Sequence, residues 1–138
     1  MKALIRWMEP MSFVGETGSG HAIVMDGAKE SGGRDLGPRP MEMLLLGLGG
    51  CTSFDVVLIL KKSKQDITDC RAEVTAERAT TDPKVFTKIH VHFMLTGNNL
   101  SEKKVARAIE LSSEKYCSAS IMLGVTADVT HDFEIIDS

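Results

Sequence analysis

The segment from Met41 to Lys62 constrains this chain more than any other. It carries Leu44, Leu45, Leu46, Leu48, Val56, Val57, Leu58, Ile59 and Leu60 with few polar interruptions. Such a run reads as a helix that is apolar nearly all round, and burial on most sides is expected. By length alone it would also suit a membrane span. Against that reading stand Glu42 and Asp55 inside it, the interruptions at Gly47, Gly49 and Gly50, and the lack of a second such segment. No membrane is therefore expected. The small residues read instead as a place where another element packs closely on the helix. Pro38 and Pro40 keep the Gly- and Ser-rich stretch from Lys29 out of helix, and Pro40 suits a first helical turn.

The flanking segments follow the period of strands. Ala3, Ile5 and Trp7 alternate with more polar neighbours, and His21 to Met25 forms a second piece closed by Asp26-Gly27, a turn dipeptide. This is a β-meander. Cys70, Ala72, Val74 and Ala76 alternate with Arg71, Glu73, Thr75 and Glu77. Beyond the turn Thr81-Asp82-Pro83, Ile89, Val91, Phe93 and Leu95 alternate with Lys88, His90, His92 and Met94. These two runs predict an antiparallel hairpin with one dry face. Ser101 reads as an N-cap. A second helix follows to about Lys115, with Val105, Ala108, Ile109 and Ser112 on one side. Tyr116-Cys117-Ser118 breaks it, a short helix restarts over Ser118 to Leu123, and a strand from Val125 closes the chain. The order is meander, buried helix, hairpin, helix, strand: an α+β chain read as one domain over residues 1–138.

Charge narrows the function. The formal net charge is −3, and the tightest basic cluster is Lys61, Lys62 and Lys64. Neutralising phosphates needs a basic excess or stripe, so nucleic acid is not an expected partner. Met1 to Phe13 has no apolar core of a secretory signal. Three widely spaced cysteines do not suit a secreted disulfide scaffold, and a reducing cytoplasm fits them best.

Two of those cysteines can carry chemistry. Cys51 lies midway along the apolar helix, after Gly49-Gly50. A small core thiol is one reading of it and a nucleophile the other, since the thiolate is the reactive form. Asp55, one turn on, would disfavour a thiolate if it faced Cys51. A stabilising cation has to come from elsewhere, with Arg6, Arg34 and Arg39 the options in the first half of the chain. Cys117 sits at the helix break, where the restarting helix can favour a thiolate; packing on the sheet is the plainer alternative. Cys70 opens a strand on its apolar face and reads as core. His90 and His92 share a polar face without an obvious third metal ligand, and no cysteine or histidine spacing suggests zinc. His131 reads as a satisfied buried histidine.

Pro40-Met41-Glu42-Met43-Leu44-Leu45-Leu46-Gly47-Leu48-Gly49-Gly50-Cys51 resembles the first cysteine motif of the osmotically inducible protein C / organic hydroperoxide resistance (OsmC/Ohr) family. Lys115-Tyr116-Cys117-Ser118 resembles the second. The element order matches along nearly the whole chain. The family's glutamate ten positions before the first cysteine is Met41 here, with Glu42 one step closer. The resemblance implies an intertwined homodimer, with antiparallel sheets wrapped around two long central helices. It implies a two-cysteine, peroxiredoxin-like peroxidase in the oxidative stress response. Cys51 would attack the O–O bond of a small organic hydroperoxide. Cys117 would resolve the sulfenic acid as a disulfide, and an external dithiol of the lipoyl type would reduce it. No bound cofactor and no metal are implied, the helix would line an apolar pocket, and Arg39 and Glu42 are the activation candidates. The competing expectation is a non-catalytic dimeric binding protein for a small hydrophobic or thiol-bearing ligand.

Overall fold

The computed structural model describes residues 1–138, whose backbone divides into two compact units, Met1–Leu45 and Leu46–Ser138. The N-terminal unit is the predicted meander: β1 (Ala3–Met8), β2 (Ser12–Thr17) and β3 (Ala22–Met25) pair antiparallel in that order. A loop with one 3₁₀ turn at Lys29–Ser31 leads to α1 (Pro40–Lys62), which runs on into the second unit. Asp26 organises that loop. Its buried carboxylate accepts the backbone N–H groups of Gly27 (2.7 Å), Leu36 (3.2 Å) and Arg34 (3.4 Å). Burial pushes the Asp26 carboxyl upward, but these hydrogen bonds outweigh it and hold the group below its ordinary range.

The C-terminal unit is a three-stranded sheet with helices. β4 (Asp66–Arg78) and β5 (Phe86–Asn98) form the expected antiparallel hairpin, in the register Ala72↔Phe93 and Val74↔Val91. β6 (Asp128–Asp137) differs from the antiparallel sheets expected, because it joins β5 in parallel. The physical reason is the connection. α2 (Glu102–Leu111), a π-helical turn (Ser112–Tyr116) and α3 (Ser118–Leu123) carry the chain back to the starting end of β5, and a strand entered from there runs parallel.

The core of this unit collects one stripe from each element. Ile89, Val91, Phe93 and Leu95 of β5 are all but fully buried, as are Val105 and Ala108 of α2. Ser101 caps α2, accepting the Lys104 N–H as its sequence position predicts. On α1 the buried residues Leu48, Thr52, Val56 and Leu60 fall four apart, a single stripe. The expectation of burial on most sides fails here. Leu46, Phe54 and Leu58, on the opposite side, are exposed. The glycines divide in the same way. A Cβ at Gly49 would stand 3.2 Å from Val74 Cγ2, so β4 packs closely there, whereas Gly47 and Gly50 face open space. Past Lys62 the helix stops at Lys64, whose left-handed φ of 59° returns the Gln65 N–H to the Leu60 carbonyl at 2.9 Å.

Candidate active site

Cys51 and Asp55 sit one turn apart on α1 and face the same way. Cys117 comes from the break after α2. The π turn ends there, with the Cys117 N–H bonded to the Ser112 carbonyl at 2.8 Å, and the side chain is fully buried. The three ligand atoms, two sulfurs and one carboxylate oxygen, all lie within 4.8 Å of one another. The two cysteines singled out from the sequence are thus brought together, with Asp55 as a third member.

The surroundings order this cluster. Cys117 caps α3, its Sγ accepting the Ser120 N–H at 3.4 Å. Burial pushes the Cys117 thiol up, and a hydrogen bond to Cys51 and the charge of that residue push the same way; the contacts to Ser120 oppose them only in part. Cys117 is therefore held as a protonated thiol beside Cys51. Asp55 is positioned by a buried hydroxyl pair: Ser112 Oγ donates to Asp55 Oδ2 at 3.0 Å, and Thr52 Oγ1 stands 2.8 Å behind Ser112 Oγ. Cys51 and Asp55 themselves are half-buried, so the cluster has a wet side.

The activation candidates have a different setting. Arg39 and Glu42 belong to the N-terminal unit, where the Glu42 carboxylate accepts the Arg39 backbone N–H at 2.8 Å. Arg39 is then the cap, Pro40 the first helical residue and Glu42 the third: the carboxylate half of a capping box. The Arg39 guanidinium is held by Asp35 at 2.6 Å, and the bond to that carboxylate raises its affinity for its proton. Arg34, the other nearby option, donates to the Glu9 carbonyl at 2.9 Å.

Other expectations shift. Cys70 is the fifth residue of β4 rather than its first, and only half-buried; burial pushes its thiol up. With Gly50, Phe54, Val57 and Leu58 it lines a hollow of about 470 Å³ on the exposed side of α1. The larger cleft of the unit, about 870 Å³, has a mixed lining, with Glu102, Glu110, Glu114 and Asp132 beside Ile109, Val129 and Phe133. His131 stacks on Phe93, with ring centroids 6.3 Å apart, but its buried Nε2 makes no hydrogen bond in the chain, so it is not the satisfied histidine expected. His90 and His92 do have a third polar partner: Asp132 Oδ1 lies 2.8 Å from His90 Nε2 and 2.7 Å from His92 Nδ1. The sequence hides it because only the parallel register of β6 sets His92 opposite Asp132.

Known proteins agree with this architecture. The sequence model of the OsmC-like protein family matches residues 32–132. The chain is 47% identical to the protein YhfA of Escherichia coli K12 over 136 residues, covering 99% of this chain and 98% of that one. The crystal structure of a hypothetical protein from Aquifex aeolicus VF5 is 27% identical, with a TM-score of 0.87 over 99% of this chain and 96% of that one. An organic hydroperoxide resistance protein OsmC from Legionella pneumophila shares the fold at 16% identity, with a TM-score of 0.70 over 97% of each chain. With two thirds and more of its length matched by the family's sequence pattern and a close relative spanning nearly all of it, the chain belongs to the OsmC-like (OsmC/Ohr) family.

Proposed function

We propose that this protein is a thiol-dependent peroxidase acting on small organic hydroperoxides through Cys51, with Cys117 as the resolving thiol. One observation carries the reading: two cysteines from separate elements hold their sulfurs within 4.8 Å, one half-buried and the other buried. The Cys51 thiolate attacks the O–O bond. Its sulfur takes one oxygen as a sulfenic acid, and the alcohol leaves with a proton. The Cys117 thiol then displaces hydroxide from that sulfur, and water leaves as the disulfide forms at about 2.05 Å. An external dithiol, of the lipoyl class, returns both cysteines to thiols and leaves as its own disulfide. Burial pushes the Cys117 thiol up, which suits a resolver waiting for its partner to be oxidised.

Two further observations support the setting. The hollow of about 470 Å³ beside Gly50 and Phe54 is mostly apolar and suits an alkyl chain. The exposed stripe of Leu46, Phe54 and Leu58 supports a homodimer, since contiguous apolar surface on a helix marks an interaction face. A reducing cytoplasm is the setting in which both cysteines would return to thiols between turnovers.

A second reading, a non-catalytic dimeric binder of a small hydrophobic or thiol-bearing ligand, is favoured by Asp55. A carboxylate beside a thiol disfavours the thiolate, and no ion pair within its unit neutralises Asp55. The deciding experiment treats reduced protein with stoichiometric cumene hydroperoxide and maps the thiols by mass spectrometry. Loss of two hydrogens with a Cys51–Cys117 cross-link supports the peroxidase. Unmodified thiols would leave the binding protein.

A further inference from the structure

Two thiols and a carboxylate within 4.8 Å of one another form a donor set whose members repel once ionised. A cation among them would turn that repulsion into attraction and favour all three in the ionised form. Zinc held tetrahedrally at about 2.3 Å from sulfur and about 2.0–2.2 Å from oxygen would place its ligand atoms about 3.6–3.8 Å apart. From a spread of at most 4.8 Å, the cluster needs to contract by no more than about 1.2 Å to meet that spacing. The second layer is also in place. Ser112 Oγ holds Asp55 through Oδ2 (3.0 Å), which leaves Oδ1 without a hydrogen bond in the chain. Thr52 Oγ1 supports Ser112 from 2.8 Å, and the Ser120 N–H fixes Cys117 Sγ. Partners of this kind orient metal ligands.

We propose that the reduced Cys51, Asp55 and Cys117 cluster is a zinc-binding site, with three protein ligands and a fourth position open to water on its half-buried side. Two thiolate ligands select a soft or borderline ion over calcium or magnesium, and the carboxylate selects Zn²⁺ over Cu⁺. Binding forms two Zn–S bonds and one Zn–O bond and releases the two thiol protons to solvent. No electrons change hands, and a Cys51–Cys117 disulfide cannot bind. The binding itself is independent of the peroxidase reading. Only its consequence, that zinc would mask the Cys51 nucleophile, rests on that reading.

Co²⁺ serves as the optical probe. Added anaerobically to reduced protein, it should give thiolate-to-metal charge-transfer absorption and tetrahedral ligand-field bands at one equivalent per chain, and Zn²⁺ should displace it. Cys51→Ser and Cys117→Ser should lose most of the charge-transfer intensity. Cys70→Ser, outside the cluster, should keep the wild-type spectrum. Asp55→Asn should weaken Zn²⁺ binding, measured against a chromophoric chelator, by at least about tenfold. Circular dichroism of each variant separates lost binding from lost fold, and iodoacetamide-blocked wild type gives the same thiol control without a mutation. A featureless Co²⁺ spectrum in the wild type overturns the proposal. So does a spectrum that survives blocking of the thiols, or one that depends on Cys70. These readouts need no peroxide: a chain that binds Zn²⁺ but ignores cumene hydroperoxide keeps this proposal and loses the peroxidase, and the converse pair of results does the reverse.

Discussion

The hydroxyls of Thr52 and Ser112 meet 2.8 Å apart in the fully buried interior of the C-terminal unit, and their proton order is set by a third residue. Ser112 has one hydroxyl hydrogen and gives it to Asp55 Oδ2 at 3.0 Å. Thr52 must then donate to Ser112. The result is a directed chain from α1, through the end of α2, back to the turn of α1 beside Cys51. Thr52→Val keeps the shape and removes the first donor, so Ser112 loses a buried partner. A destabilisation of about 1–2 kcal/mol is expected in urea unfolding, read as a lower midpoint with an unchanged slope. Ser112→Ala breaks both links and should cost about as much or more. Stabilities equal to wild type for both variants would mean that the pair contributes nothing.

Cys117→Ser tests the division of labour between the two sulfurs. Without the resolving thiol, the Cys51 sulfenic acid has no near partner and is exposed to a second peroxide. The variant should consume one equivalent of cumene hydroperoxide in a single turnover to the sulfenic acid and a second in over-oxidation to the sulfinic acid, then stop, with Cys51 carrying first one and then two added oxygens by mass spectrometry. Cys51→Ser should consume none. Activity in Cys51→Ser equal to the parent would end the mechanism.

The polar face of the sheet predicts a pH dependence whose sign can be worked out. The hydrogen bond to Asp132 raises the His92 pKa above its ordinary 6.5. Its stabilisation is full below that value and fades as pH rises through the raised one. Hydrogen bonds from His92 and then His90 lower the Asp132 pKa below 3.8, so its contribution is full above that value and fades as pH falls through the lowered one. Both contributions overlap between 3.8 and 6.5. Asp132→Asn should therefore reduce Tm more at about pH 5 than at about pH 8. Equal losses at both would show the cluster to be uncharged in effect, as solvent screening of exposed pairs allows.

Local patterning made much of this legible. The 2-residue period marked β4 and β5, the Ser101 cap and the Val105, Ala108, Ile109, Ser112 stripe marked α2, and the break at Tyr116-Cys117-Ser118 marked α3. What stayed hidden depended on partners distant in sequence. Asp26 reads locally as half of a turn dipeptide; its role in holding Gly27, Arg34 and Leu36 exists only once the loop has closed. Asp132 reaches His90 and His92 only through the parallel register of β6. Asp55 looked like a possible hindrance to Cys51; its link to Ser112 comes from another helix. The motif makes Glu42 an activation candidate, while its hydrogen-bond partner is the Arg39 N–H at the start of the helix.

The same contrast gives a prediction about assembly. The apolar run predicts that α1 is buried on most sides, yet full burial is confined to the stripe Leu48, Thr52, Val56 and Leu60 with Gly49 beside it. Leu46, Gly50, Phe54 and Leu58 fall four apart on the opposite side, and Phe54 is 69% exposed. A soluble chain seldom leaves such a stripe to water, so a second copy packing on it is the expected cover. Phe54→Asp would put a charge into that interface. Losing a buried aromatic anchor costs about 2 kcal/mol or more, roughly a thirtyfold weaker dimer, and the charge adds to it. Sedimentation velocity should show the wild type as a dimer and Phe54→Asp shifted toward monomer at the same concentration, with circular dichroism unchanged. A wild type that sediments as a monomer at every concentration would leave the exposed stripe without its second copy.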